Sequence, residues 1–434
     1  MKYYFIGIKG SGMSTLASIL YDLGNEVIGY DDCKEYKFTM RGLLERGIKI
    51  YDKDNLPTLS KDTIVTYTAA INLEHHEVKR MHDMGYRIVP YHELIGNLTM
   101  NMESICVCGT HGKTTTSLLI SKILKGCNYF VGDGSGHGNK DSHLFVLESC
   151  EYNKHFLSYH PYNGVITNIE LDHTETYPNI ECMIEAYQEF VSKCQNLVIA
   201  CGDDENIRKL KIKKAFYYGF NSDNDLVIKN KQVFSNKTHF DVYYHGEFYD
   251  HYSVPMFGDH LLRDALAMIM IGILYNVPRE TIEEVLDDYH PAKRRFNEEV
   301  IGDVVIVDDY AHHPTEIKVT YDSAHQKYPH KPVIAVFMPN TYSRTEALFD
   351  DFCEALRLYD KAYLMEIKCD RESSKDYPNI SSTSLVLNIP NSEMIDLSTC
   401  SKLLAYKDAV ICFMSCANIS PMIDKYKELL KNNV

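Results

Sequence analysis

Strands that alternate with helices along the whole chain, and two glycine turns each set between a strand and a helix, predict a three-domain α/β protein. Breaks near residues 103 and 291 divide it into a Rossmann-like unit at 1–103, a central phosphate-binding unit with a mostly parallel sheet at 104–291, and a further α/β unit at 292–434. A chain of 434 residues has room for about three domains of ordinary size.

The first unit opens with YYFIGI as a strand, KGSGMS as a turn and TLASILYDLG as a helix, and EVIGY leads to Asp31 and Asp32. Strand, glycine turn, helix, strand and acid is the layout of a dinucleotide-binding unit. The glycines are Gly7, Gly10 and Gly12, spaced G-x-x-G-x-G, and Thr15 stands where the third glycine of the usual fingerprint falls. The turn therefore suits a pyrophosphate, and Asp31 a ribose hydroxyl, better than it signals a redox cofactor; a purely structural βαβ unit is the alternative. NLTMNMES reads as a surface link to the next unit.

The central unit is organised around ICVCGTHGKTTTS, Ile105 to Ser117, which reads as a buried strand, a glycine-bounded turn and a helix start. Unpaired N–H groups and the positive helix end there make an anion site. Lys113 adds a mobile charge, and the Thr114 hydroxyl is suited to Mg²⁺ bridging phosphates. The spacing Gly109, Gly112, Lys113, Thr114 is two residues shorter than the common phosphate loop, and the alternative is a turn that happens to hold a lysine. Later strands finish at Glu148, Asn168 and Asp203, toward the end of the sheet where ligands bind. Glu148 and His173 suit a divalent cation there, with Glu151 and Asp172 as substitutes; a capping or surface role for His173 is the alternative. Residues 215 to 254 read as an antiparallel hairpin appendage, followed by a buried helix in FGDHLLRDALAMIMIGILY and an amphipathic one after Pro278.

In the third unit Asp308, Asp309, Tyr310, His312 and His313 end one strand, and Asn340, Thr341 and Arg344 end the next, which predicts one wall of a cleft. A metal at the paired histidines is disfavoured, because consecutive side chains point apart on regular backbone.

Composition excludes other classes. A net charge of −15 without a Lys/Arg run argues against nucleic acid as partner. The most apolar helix, Leu266 to Tyr275, is too short to span a bilayer, and the first apolar run is too short for a signal peptide. Thirteen scattered cysteines without C-x-x-C spacing suit reduced thiols, so a soluble cytoplasmic protein is expected. Oligomeric state is not specified.

The motifs GIKGSGM, GTHGKTTT, TNIELDH, RRF, DDYAHHPTE and YSRT, in this order along nearly the whole chain, resemble those of the Mur ligase family. GDGSGHG (Gly132 to Gly138), leading to ESCEYNKHFLSYHP, resembles its Firmicute alanine-adding members. The resemblance implies a Rossmann-like first domain holding the UDP of the substrate through Gly10, Ser11, Gly12, Met13, Ser14 and Asp31. It implies a central domain binding ATP and Mg²⁺, with Gly109, Thr110, His111, Gly112, Lys113, Thr114 and Thr115 at the triphosphate and Thr114, Glu148 and His173 at the metal. The C-terminal domain, Rossmann-like, completes the ATP site with Arg294, Arg295 and Asp309 and receives the amino acid at Tyr310, His312, Asn340 and Arg344. Lys113, His312 and Arg344 are the implied catalytic residues, His312 accepting a proton from the amine and Arg344 pairing with the carboxylate. UDP-N-acetylmuramate and L-alanine are the implied substrates, joined through an acyl phosphate.

Departures from the family pattern are equally legible. Leu261 and Asp264 stand where asparagines usually face adenine, and a lost bidentate amide contact costs about 1–3 kcal/mol by analogy with base readout. Asn340 replaces a histidine, and Ser415 to Ile419 (SCANI) replaces a glycine-rich loop, which cannot be assumed to fold the same way. A paralogue using another amino acid or UDP-sugar acid, a nucleotide-binding regulator without turnover, and a redox enzyme are the alternatives these residues leave open.

Overall fold

The central strands of each of the three sheets are buried nearly without interruption, the pattern of a sheet covered on both faces. The computed structural model describes residues 1–234, 236–255, 257–290, 294–369 and 372–433; the predicted break at Pro291 lies outside them. The first sheet comprises β1 (Lys2–Ile6), β2 (Glu26–Tyr30), β3 (Lys49–Tyr51), β4 (Ile64–Tyr67) and β5 (Arg87–Pro90), all parallel, in the order 3-2-1-4-5. The order reverses beside β1, which places the turn Gly7–Gly10 at the switch point where ligands bind.

The second sheet begins with β6 (Glu103–Cys108), β7 (Asn128–Phe130), β8 (Gly136–His137), β9 (Leu144–Glu148) and β10 (Asn163–Ile166). It continues with β11 (Leu197–Cys201), β12 (Ala215–Gly219), β13 (Leu226–Val233), β14 (Thr238–Tyr244) and β15 (Glu247–Val254). Their order is 15-14-13-12-11-10-6-9-7-8, with β6 flanked by parallel β9 and β10. The stretch after Ala215 corrects the expected hairpin appendage. β12 pairs parallel with β11 and β13 parallel with β12, so only β13–β15 form the antiparallel part, and it extends the same sheet. Tyr218, Leu226, Phe240 and Tyr252 are buried along this stretch, so its apolar face has a core to join rather than a free surface.

The third sheet comprises β16 (Asn297–Ile301), β17 (Val304–Asp309), β18 (Val333–Phe337), β19 (Lys361–Leu364), β20 (Ser392–Met394) and β21 (Val410–Met414), in the order 16-17-21-18-19-20. Among the described residues only β16 runs antiparallel there. Both edge strands, β16 and β20, escape the sequence reading, because their half-exposed side chains give no apolar run.

NLTMNMES is not a surface link throughout: its first four residues close the helix Tyr91–Met100, whose Leu94, Ile95 and Thr99 are buried. The chain therefore enters the second sheet through packed structure. The hairpin β7–β8 lies against the helix Ser11–Asp22; a Cβ at Gly136 would stand 2.5 Å from the Thr15 methyl, so only glycine permits that approach. One hydrophobic cluster runs from the first sheet into the second, whereas the C-terminal sheet has separate clusters on its two faces.

Candidate active site

β6 ends at Cys108, and the chain turns through Gly109 and Gly112 into the helix Lys113–Ile123. Gly112 has φ 80°, and a Cβ there would meet Asp264 Oδ1 at 2.4 Å; Gly109 lies at φ 142° with Thr167 Oγ1 1.9 Å from its would-be Cβ. Both glycines are required by backbone conformation and close approach together. The loop is held from the segment after β10: Thr110 N–H donates to Asn168 O (3.1 Å), His111 N–H to Asn168 Oδ1 (2.9 Å), and the Thr110 hydroxyl to Glu170 O (2.9 Å). TNIELDH is thus the brace of the glycine loop.

Lys113 Nζ donates to Gly109 O (2.5 Å), Thr110 O (2.9 Å) and Glu151 Oε1 (3.0 Å). Burial opposes its charge, but Glu151 holds its pKa above the usual lysine range. Glu151 is buried, and its Oε2 has no hydrogen-bond partner. His173 Nε2 stands 3.6 Å from Glu151 Oε1. Burial works against the His173 imidazolium, yet Glu175, Asp172 and Glu151 raise its pKa. Glu148 accepts Gly132 N–H (2.7 Å); burial raises its pKa against the pull of that N–H, Lys113 and Thr114. Glu148, Glu151, His173 and Lys113 therefore share one small region, and Glu151, only a substitute in the sequence reading, sits at its centre.

The C-terminal domain closes over the loop through a carboxylate hub. Glu316 Oε1 faces Arg295 Nη1 (3.1 Å) and His111 Nδ1 (3.3 Å); Oε2 accepts His312 N–H (2.9 Å) and lies 3.1 Å from His312 Nδ1. Burial would raise its pKa, but His312 and His111 hold it well below the carboxylate range. Burial likewise opposes charge on His111, but Glu316 and Glu170 lift its pKa to about 10. His111 Nε2 is 3.7 Å from Glu170 Oε2, too long for a hydrogen bond, so that contact is ionic only. His313 caps the helix Pro314–Lys327 by accepting Thr315 N–H at Nδ1 (3.3 Å), which leaves Nε2 to donate to Leu171 O (3.2 Å). The Thr315 hydroxyl donates to Glu170. Arg344 Nε donates to Asp172 Oδ1 (2.8 Å), both groups being buried. Burial alone would raise the pKa of Asp172, but Arg344 and the nearby imidazoles hold it far below the carboxylate range.

A cleft of about 910 Å³ lies between these walls and is lined by Gly112, Thr114, Leu261, Tyr289, Arg295 and Asp309 among others. Its size is that of a nucleotide-scale site. The sequence-predicted residues separate here. Thr115 and Arg295 line the cleft, but Arg294 turns away, donating to Ser415 O (2.5 Å) and Ala417 O (3.1 Å). Tyr310 lies between the two guanidiniums, 5.3 and 5.2 Å from them. Asp309 Oδ1 accepts Ala311 N–H (2.9 Å) and Oδ2 accepts Phe296 N–H (3.1 Å); burial lifts its pKa to about 6 against Arg295. Asn340 donates to Lys368 O (2.8 Å). Ser415 is buried, its hydroxyl donating to Met338 O (2.9 Å) and accepting Ala417 N–H (3.0 Å), so the SCANI loop is tied at its first residue.

In the first domain Gly10 is the N-cap of the helix Ser11–Asp22, with Gly12 and the buried Met13 in its first turn. The Ser11 hydroxyl donates to Gly132 O (3.0 Å) and that of Ser14 to Ser11 O (2.9 Å). Asp31 Oδ2 accepts Lys9 N–H (2.9 Å) and Oδ1 accepts Cys33 N–H (3.0 Å), so the acid fixes the turn itself. Sequence reasoning missed Glu170, Thr315 and Glu316. His-Pro-Thr-Glu carries the spacing of a capping box, the one signal that could have singled out Glu316.

Three α/β domains with mostly parallel sheets, a glycine loop braced by the TNIELDH segment, and a facing wall that carries Arg295, Asp309 and Glu316 define the class, and models of that class match the chain. "Mur ligase family, catalytic domain" matches residues 2–101, "Mur ligase middle domain" 135–272 and "Mur ligase, glutamate ligase domain" 294–412. The chain belongs to the Mur ligase family. Within the family it is 41% identical to UDP-N-acetylmuramate–L-alanine ligase of Ligilactobacillus salivarius, over 99% of this chain and 97% of that one. Its fold is that of UDP-N-acetylmuramate-alanine ligase MurC from Thermotoga maritima (TM-score 0.77, 22% identity, 100% of both chains). It also resembles MurF ligase from the same organism in complex with ADP (TM-score 0.64, 16% identity, 94% of this chain and 96% of that one). Among the described residues no helix is long and apolar enough to cross a membrane.

Proposed function

We propose that this enzyme joins L-alanine to the lactyl carboxylate of UDP-N-acetylmuramate at the expense of ATP, a cytoplasmic step in peptidoglycan precursor synthesis. The observation that carries the reading is the convergence of the loop around Lys113, through His111, Gly112 and Thr114, and of Arg295, Asp309 and Glu316 of the C-terminal domain on one cleft, in a chain 41% identical along its length to an alanine-adding relative.

A carboxylate is a poor acyl donor because its leaving group would be oxide. The lactyl carboxylate therefore attacks the γ-phosphorus of ATP, forming an acyl phosphate and releasing ADP. Alanine's amine attacks the acyl carbon, and the tetrahedral intermediate collapses with loss of phosphate. Lys113 and the N–H groups from Gly109 to Thr115 hold and neutralise the phosphates, since phosphoryl transfer needs alignment and charge balance above all. The residues also fit Mg²⁺: Glu151 keeps a buried oxygen without a partner beside a hydroxyl, a carboxylate and an imidazole. Thr114, Glu148 and His173 would hold the ion, which supplies neutralisation of phosphate charge when bound. Arg295 faces the nucleotide cleft and His312, within reach of Glu316, takes the amine proton. Arg344 orients the amino acid's carboxylate from its station on Asp172. The Gly10–Ser14 turn receives the UDP diphosphate.

Phosphate release measured with UDP-N-acetylmuramate and, separately, alanine, glycine or serine tests the proposal. Release that requires both substrates and is fastest with alanine is expected. Binding of the UDP-sugar without any release would replace the ligase by a regulator.

A further inference from the structure

Asp32, His75 and His76 take no part in the chemistry above, yet the fold gathers them at the carboxyl edge of the first sheet. Asp32 follows β2, and His75 caps the helix His76–Asp83, which comes from the far side of β1 and β4. Consecutive side chains diverge on regular backbone, but here the chain passes from extended at His75 (φ −60°, ψ 131°) to helical at His76. The change folds the two imidazoles together, with ring centroids 4.4 Å apart. Asp32 Oδ2 lies 2.7 Å from His75 Nε2, and Oδ1 lies 3.6 Å from His76 Nε2. One donor atom from each residue falls within 4.8 Å of the others.

We propose that Asp32, His75 and His76 form a transition-metal site of the zinc class, separate from the Mg²⁺ site of the reaction. Two imidazoles and a carboxylate suit zinc, nickel or copper, whereas magnesium and calcium prefer all-oxygen sets. The face is open, with His76 61% and Asp32 53% exposed in their side chains, so water can complete a tetrahedron. A second layer is in place on the carboxylate, where the Tyr30 hydroxyl donates to Asp32 Oδ1 (2.5 Å); the same hydroxyl lies 2.9 Å from His76 Nε2, a contact that is given up when that nitrogen binds the ion. Coordination through His75 Nε2 moves the ring proton to Nδ1 and gives up the 3.3 Å cap accepted from Glu77 N–H. The ion would tie this helix to the segment after β2, where Asp31 holds Lys9 N–H of the diphosphate turn. Binding there thus reaches the UDP-sugar end of the molecule.

The test is competition for Zn²⁺ between the full chain and a chromophoric chelator, with Mg²⁺ and a non-hydrolysable ATP analogue present to fill the other site. The wild type is expected to take one Zn²⁺, His76→Gln and Asp32→Asn to bind it at least tenfold more weakly, and His173→Gln to bind it normally. Co²⁺ should give visible absorption bands in the wild type that both first variants lack. Because His76 and Asp32 are exposed, their variants should melt as the wild type does without metal. Unchanged Zn²⁺ affinity in these variants, or its loss in His173→Gln instead, would overturn the site.

Discussion

Lys113 is the residue on which turnover should depend most, because its ammonium is already aimed by two loop carbonyls and Glu151. Lys113→Ala should cut phosphate release by on the order of 10²–10³-fold while UDP-sugar affinity, measured by titration, stays nearly the same. Equal loss of both would end the division of labour between the two glycine turns. Asp264 gives a different residue-level expectation. It is buried under Gly112, accepts the Thr116 hydroxyl (3.1 Å), and burial lifts its pKa from 3.8 to about 8 against Thr116 and Arg295. Between those two values the folded protein holds a proton that the unfolded chain releases, so stability falls as pH rises through the window, by up to about 1.4 kcal/mol per pH unit. Asp264→Asn cannot ionise. Denaturation midpoints at pH 5 and pH 8 should show the variant gaining on the wild type as pH rises, and a constant difference would mean Asp264 is ionised throughout.

Between elements, the decisive contact joins the loop after β10 to the helix Tyr342–Ala347 through Asp172 and Arg344. Both are buried, so removing either leaves an uncompensated charge, at a cost of about 3–5 kcal/mol. Arg344→Ala should therefore lower the melting temperature and raise KM for the amino acid far more than KM for ATP. Arg344→Lys should not restore either, since Nε serves Asp172 while Nη1 faces Asn340 O (3.4 Å), a fork that lysine lacks. Proportionate rises in both Michaelis constants would remove Arg344 from the amino-acid site. The same scale distinguishes Arg294 from Arg295. Adjacent in sequence, they part because Arg294 has φ 58°, and only Arg295 lines the cleft.

For the whole molecule, closure rests on Glu316, which draws charge from His111 in the central domain and from Arg295 and His312 in the C-terminal one. The C-terminal domain keeps its own hydrophobic clusters, so its hold on the rest depends on such polar contacts. Glu316→Gln should enlarge the radius of gyration in solution scattering and raise KM for ATP, with each domain still folded. An unchanged radius would mean that apolar contacts keep the domains closed.

How much of this could be read beforehand follows from what each feature depends on. The three-sheet α/β class, the Lys113 loop and the strand ends at Glu148 and Asp309 were legible, since apolar runs and glycine spacing are local properties of the chain. So was the family, carried by motifs in a fixed order. The edge strands β16 and β20 were not, because sheet edges bury too little to leave a pattern. Nor were the partners of Arg344 and Glu316, or the meeting of His75 and His76 with Asp32, since these pair residues distant in sequence or depend on a turn of the backbone. By itself the amino-acid order determined the family of this enzyme and the glycine turns, lysine and carboxylates that stand at its strand ends. Only the tertiary structure decided which buried charges oppose one another, because their energies depend on separation and desolvation, and neither is encoded by spacing along the chain.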